Sequence, residues 1–105
     1  MKRLPENTPW GPIQHKEKLA DGIYDIETAG HGGIWIAPGL RHHIPKCKNF
    51  LDSTAWWEED CDWSIPFYVF ADRIKPNMDK ERFDFMLDAA KKTIAYWHPE
   101  MDCVY

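Results

Sequence analysis

Residues 13–37 read IQHKEKLADGIYDIETAGHGGIWIA, and the fold class turns on this stretch. From Ile13 to Leu19 the residues follow a weak period of two, Ala20-Asp21-Gly22 is a turn signal, and Ile23 to Thr28 alternates again. Tyr24, Ile26 and Thr28 fall on one face, with Ile23, Asp25 and Glu27 on the other. That pattern predicts a β-hairpin. Gly30-His31-Gly32-Gly33 interrupts it, and Ile34-Trp35-Ile36-Ala37 follows as a short apolar third strand.

Working outward, the period changes. In residues 79–97, DKERFDFMLDAAKKTIAYW, the apolar positions Phe83, Met86, Leu87, Ala90, Ile94 and Trp97 recur at helical spacing. Asp79 is placed to cap this helix and His98-Pro99 to end it. Between the two regions, Pro38 to Pro45 predicts one short helical turn and Lys46 to Ala55 a polar connection. Trp56 to Trp63 begins with two aromatics and then acids, which suits a helix N-terminus where carboxylates complement the dipole. A further helical segment is expected from Pro66 to Ile74. Before the hairpin, residues 1–12 hold PENTPWGP and predict an irregular arm anchored by Trp10. Strands first and helices afterwards give an α+β domain over residues 1–105. The expected architecture is a small antiparallel sheet of about three strands, covered on one face by two or three helices.

Composition sets the boundaries on function. The chain has 105 residues, 44% of them hydrophobic and 29% charged, which is the composition of one globular domain. So short a chain needs bulky side chains to fill a core, and it has six Trp, five Phe and four Tyr. The net charge of −4 is uneven: residues 1–51 carry seven Lys/Arg against five Asp/Glu, and residues 52–105 six against twelve. A pI of about 5.7 argues against nucleic-acid binding. The longest apolar run, Ile65 to Ala71, is far short of a membrane span. Met1-Lys2-Arg3 is followed by Leu4-Pro5-Glu6-Asn7 and not by a signal-peptide core, so a cytoplasmic location is expected. A homodimer is compatible with all of this.

Chemistry concentrates in two places. Three glycines around His31 are more than a turn needs, and they suit a histidine presented on a rigid turn as a general base or ligand-contacting group, with Gly32 and Gly33 allowing positive φ and close approach. The plainer alternative is a loop whose histidine bonds a neighbouring carbonyl. In WWEEDCDW (56–63), helical spacing would place Glu58 with Asp62 and Glu59 with Trp63. Repelling carboxylates of this kind lie either on a solvated face or opposite a cation, a metal or a basic partner. The candidate catalytic groups are therefore His31, Glu58, Glu59 and Asp60, with Trp57 or Trp63 as an aromatic wall. Arg41, His42, His43, Lys46 and Lys48 form a basic patch, from which Arg41 and His43 are candidate ligand contacts. The thiols of Cys47, Cys61 and Cys103 match no tetrahedral zinc spacing, so neither a metal nor a cofactor is expected. No phosphate-binding loop, nucleophile elbow or metalloprotease helix occurs.

Three segments read in order, TPWGP (8–12) with Gln14, TAGHGGI (28–34) and WEEDCDW (57–63), resemble a family of small domains of unknown function encoded by bacteriophages, plasmids and other mobile elements. Trp97-His98-Pro99 is similar to the close of that family's last helix. The family pattern has a continuous apolar helix after the acidic motif, where this chain has Pro66. The resemblance implies a phage-type accessory protein that binds a host factor, a defence component or a small ligand. A small hydrolase or transferase, with His31 as base and residues 58–62 orienting it or holding a divalent cation, is the alternative.

Overall fold

Ile23, Ile36 and Trp35 are almost completely enclosed, and all three lie on adjacent strands of an antiparallel sheet. The computed structural model describes residues 4–44 and 53–98. The expected hairpin is formed by β3 (His15–Ala20) and β4 (Ile23–Glu27). Its turn carries Gly22 at φ 78°, a left-handed conformation that glycine adopts without a Cβ clash. β5 (Gly32–Ile36) is the predicted third strand, and all five of its residues are buried.

A fourth strand enlarges the sheet. β6 (Trp56–Glu58) pairs antiparallel with β5, giving the order β3-β4-β5-β6. The expected helix start at Trp56 to Trp63 is therefore a strand followed by a turn. Aromatic residues favour a pleated, half-buried surface, and here Trp57 faces Ile34 while Trp56 faces Trp35 across the ladder. The expected irregular arm also holds structure: β1 (Asn7–Thr8) and β2 (Gly11–Pro12) form a two-stranded ribbon joined by a turn at Pro9-Trp10, with Gly11 at φ 114° where the second strand begins.

Both faces of the sheet are covered. On one face Leu19, Ile23, Ile34, Ile36 and Trp57 meet α1 (Ser64–Val69), α2 (Ala71–Ile74) and α3 (Lys80–Trp97) through Ile65, Phe67, Ile74, Phe83 and Ile94. On the other, Ile26, Trp35 and Ala37 pack with Leu4, Ile13, Tyr24 and Trp56. Trp10 meets Trp56 edge-on at 5.6 Å between ring centroids, so the predicted anchor of the N-terminal segment docks onto this second core. The one-sided sandwich becomes three layers: helices, sheet, and N-terminal segment.

The helical half follows its sequence signals closely. Pro66 occupies the third position of α1, where its missing N–H would have had no intrahelical partner. Phe70 then breaks the segment before α2. The short turn is a 3-10 helix at Pro38–His43, and a second one at Lys75–Asn77 leads into α3. Asp79 caps α3 by accepting from the Arg82 N–H at 3.2 Å. Arg82 also donates two 2.6 Å bonds to Glu17, and Asn77 donates to the Leu19 carbonyl at 3.1 Å, so the helix is tied to β3 at its start. One stripe position departs from expectation. Trp97 is 59% exposed, beside the likewise exposed Tyr96, while Met86 and Leu87 are partly buried. No described helix is long and apolar enough to cross a membrane. The expected connection from Lys46 to Ala55, with Cys47, lies mostly outside the described residues, as do Pro45, Pro99 and Cys103.

Ile94 has no exposed surface, and Tyr96 is 75% exposed on the same helix. Ile94→Ala should cost about 2–5 kcal/mol in denaturant melts, and Tyr96→Ala less than about 0.5 kcal/mol.

Candidate functional site

The turn that carries His31 is organised by Thr28. Its N–H donates to the His31 carbonyl at 3.0 Å, and its hydroxyl lies between the carbonyl oxygens of His31 and Trp10. The N–H groups of Gly30 and His31 donate back to the same hydroxyl at 3.3 and 3.2 Å. Those bonds fix the backbone and leave the imidazole in solvent, with 64% of its side chain exposed. His31 thus projects its imidazole from a hydrogen-bonded turn.

The glycines serve a different purpose from the one expected. The left-handed glycines are Gly11 and Gly22, so Gly32 and Gly33 do not supply positive φ. A Cβ on Gly33 would stand 2.1 Å from the Trp57 carbonyl oxygen and 2.8 Å from the Trp10 ring. One on Gly32 would stand 2.4 Å from the Ile26 carbonyl. The close approach is made by the protein's own strands and not by a ligand.

β6 brings the acids to this turn. The Glu59 N–H donates to the Gly32 carbonyl at 2.9 Å, which continues the ladder one residue past Glu58. His31 Nδ1 consequently lies 4.0 Å from Glu59 Oε1, and donor atoms of His31, Glu58 and Glu59 lie within 4.8 Å of one another. Glu58 is only 8% exposed. Burial pushes its carboxyl above the usual range, the Asp60 backbone N–H opposes this, and the charges of Asp60 and Asp62 add to the rise. Asp60 itself stays exposed. Because 56–58 is a strand, helical spacing does not set the pairings Glu58 with Asp62 and Glu59 with Trp63, yet the turn after the strand still brings Glu59 and Trp63 to one groove and the Asp62 charge to Glu58. Trp57 is 1% exposed in the helix-side core, with its indole N–H on the Thr54 carbonyl at 3.1 Å, so it cannot wall a ligand.

Trp63 can. It borders a groove of about 400 Å³ on the helix side of the sheet, whose lining includes Glu17, Asp25, Ile34, Glu59 and Met86. Asp25 sits in register between Glu17 and Ile34 on neighbouring strands. Burial raises its carboxyl to about 6, and the charges of Glu17, Glu59 and Glu27 push the same way, against the pull of Arg82. Arg82 is clamped on Glu17, whose carboxyl that contact holds below its usual value despite partial burial. Sequence reading passed over Asp25 and Glu17. A signal was there: Asp25 shares a face with the core residue Ile23, and an acid on a core face calls for an explanation.

Two other candidates stand apart. Arg41 donates from Nε to the Ile36 carbonyl at 2.8 Å, and His43 packs edge-on against Phe70. Both lie beyond the far end of β5, roughly 16 Å along the strand from His31. The structure therefore separates Arg41 and His43 from the acids, while Lys46 and Lys48 fall outside the described residues. Cys61 lies in the turn after β6, where burial and then the Asp62 carboxylate push its thiol up to about 11, against a nucleophilic role.

An α+β domain with an acid-lined, aromatic-walled groove on the helix side of its sheet is thus the kind of protein that fold and site define. The chain belongs to the DUF7007 family, a domain of unknown function, whose pattern matches residues 3–102. No curated protein and no solved structure matches it.

Two predictions follow from the glycines and from Asp25. Gly33→Ala should destabilise the fold by about 1–3 kcal/mol or more, because the obstructing atom is backbone. Gly30→Ala, with only the Trp10 carbonyl near at 3.9 Å, should change stability by less than about 0.5 kcal/mol in the same melts. Asp25 holds its proton more tightly folded than unfolded, so stability is greatest below pH 3.8 as far as this group is concerned and falls as pH rises towards about 6. Asp25→Asn should remove that loss, raising stability at pH 7 by about 1–3 kcal/mol, with little effect near pH 4. Melts of both proteins at the two pH values measure it.

Proposed function

We propose that the chain is a binding module of the accessory type that phages and mobile elements carry, gripping a cationic group of a protein partner or small ligand in the acid-lined groove. The observation that carries this reading is the gathering of Glu17, Asp25, Glu27 and Glu59 along one groove beside Trp63, where burial first and then the Glu17 charge raise the Asp25 carboxyl to about 6 against the pull of Arg82. Carboxylates held this close repel one another, and a guanidinium or ammonium entering the groove relieves the repulsion while the Trp63 face covers its apolar stem. His31, beside Glu59 at the rim, adds a donor or acceptor for the rest of the ligand. A host factor would present the cation as an Arg or Lys side chain.

The test is an NMR titration of the isotope-labelled chain with N-acetyl-arginine amide, and with N-acetyl-glutamate as control. Expected are saturable shifts at Asp25, Ile34 and the Trp63 indole N–H for arginine amide alone, weakened in Glu59→Gln. Equal shifts for both probes, or shifts away from the groove, would refute the reading.

The enzymatic alternative has one observation in its favour, the 4.0 Å approach of His31 Nδ1 to Glu59 Oε1. That is just beyond the reach of a base and the carboxylate that orients it, a contact that tightens in substrate complexes. The double variant His31→Ala, Glu59→Gln separates the readings. Loss of a base costs about 10²–10⁴-fold in turnover, whereas loss of rim contacts leaves partner capture weakened but present.

A further inference from the structure

A second cluster, distinct from the groove, lies where the turn after β6 meets the end of α3. It joins Cys61, Asp62 and His98, and it is invisible to spacing rules because the histidine comes from the far end of the last helix. His98 Nε2 lies 3.1 Å from Asp62 Oδ1, Cys61 Sγ lies 3.5 Å from that oxygen, and donor atoms of all three fall within 4.8 Å of one another. Asp62 and His98 are 1% and 5% exposed, while Cys61 is partly open to solvent.

We propose that Cys61, Asp62 and His98 form a zinc-class divalent cation site with a fourth position open to water on the Cys61 side. The donor set is one thiolate sulfur, one carboxylate oxygen and one imidazole nitrogen, each an ordinary zinc ligand. Zinc bonds of about 2.0–2.3 Å at tetrahedral angles require donor atoms about 3.3–3.6 Å apart; the Cys61–Asp62 distance falls within that range and the His98–Asp62 distance lies just below it.

The backbone holds the donors in place before any ion arrives. The Trp63 N–H donates to Glu58 O at 2.9 Å and the Ser64 hydroxyl to Cys61 O at 2.6 Å, which fixes the turn. The His98 N–H donates to Ile94 O at 2.8 Å, which fixes the helix end. Binding breaks the Cys61 S–H bond, forms a metal–sulfur bond and sends the proton to solvent; no electrons change hands. Glu58 and Asp60, close by in the chain, add negative charge that favours an incoming cation.

The experiment uses the full chain, stripped with a chelator and titrated with Co²⁺ alone, then with competing Zn²⁺. Expected are one cobalt per chain, a sulfur-to-cobalt charge-transfer band, its displacement by zinc, and a rise in melting temperature with either metal. Cys61→Ser should abolish the band with an unchanged far-ultraviolet circular dichroism spectrum. Losing a direct ligand should weaken binding by more than the roughly 100-fold upper end for outer-shell partners. His98→Gln should weaken cobalt binding likewise, and should that variant fail to fold, Asp62→Asn, which keeps the side chain's size but removes the carboxylate ligand, serves in its place. The proposal is overturned if no sulfur band appears, or if the band survives Cys61→Ser. It is equally overturned if cobalt binding persists in the Cys61 variant but disappears in His31→Ala, which would place the ion on His31, Glu58 and Glu59. Those results leave the arginine-amide titration of the groove untouched, so this site and the binding reading stand or fall separately.

Discussion

The burial of β5 on both faces is the constraint from which the rest of the architecture follows. Every residue from Gly32 to Ile36 is enclosed, and strands flank it on both sides. A strand in that position satisfies its backbone polar groups only through neighbouring strands, and its side chains need a layer above and a layer below. The helices supply one layer through Ile65, Phe67 and Ile94. The other comes from Leu4, Trp10, Ile13 and Trp56, so a proline-rich opening segment that looks like a loose tail is part of the core. Gly33 marks the tightest point, where a Cβ would run into the Trp57 carbonyl and the Trp10 ring together.

Much of this is legible in the sequence, and what is not has a common cause. The hairpin, its Gly22 turn, the short third strand, the 3-10 turn after Pro38 and the Asp79-capped helix all rest on local signals: alternation, turn residues, capping and a 3.6-residue period. β6 was misread because its signal is not local. Trp-Trp followed by acids fits a helix start as well as a strand end, and only pairing with β5 decides between them. The two-residue strands of the N-terminal ribbon are too short for any period to register. Trp97 sits at a stripe position by spacing, yet the packed part of α3 ends at Ile94.

The candidate site was legible in the same uneven way. Placing His31 with Glu58 and Glu59 requires only that one strand begin where its neighbour ends, and both segments stood out by composition. The roles within the site are another matter. Gly32 and Gly33 look like room for a ligand and are instead filled by the neighbouring strands; Trp57 looks like a binding aromatic and is core. Glu17 and His98 carry no sequence signal because their significance lies in what they face across distant chain or across a strand, whereas Asp25 carries only the faint one of an acid on the face of Ile23.

Charge is distributed unequally between the two ends of the sheet, and that asymmetry bears on function more than any single residue does. At the end where β5 leaves the sheet, Arg41 caps the Ile36 carbonyl and His43 lies against Phe70, an arrangement explained by packing alone. At the end where β5 enters, Glu58 and Asp62 are withdrawn from water, with Glu59 and Asp60 beside them, while Asp25, largely buried with Glu17 next to it, lies at mid-strand opposite Ile34. A small domain has a stability of only about 5–15 kcal/mol, and each buried carboxylate opposes folding unless it is paired or neutralised. Glu17 has Arg82 and Asp62 has His98, but Asp25 and Glu58 are held neutral more readily than an exposed acid would be. Folding alone would favour apolar or amide side chains at those two positions. Acids kept there at a cost to stability, beside an open groove and a solvent-exposed histidine, are the physical ground for the proposal that this surface receives positive charge.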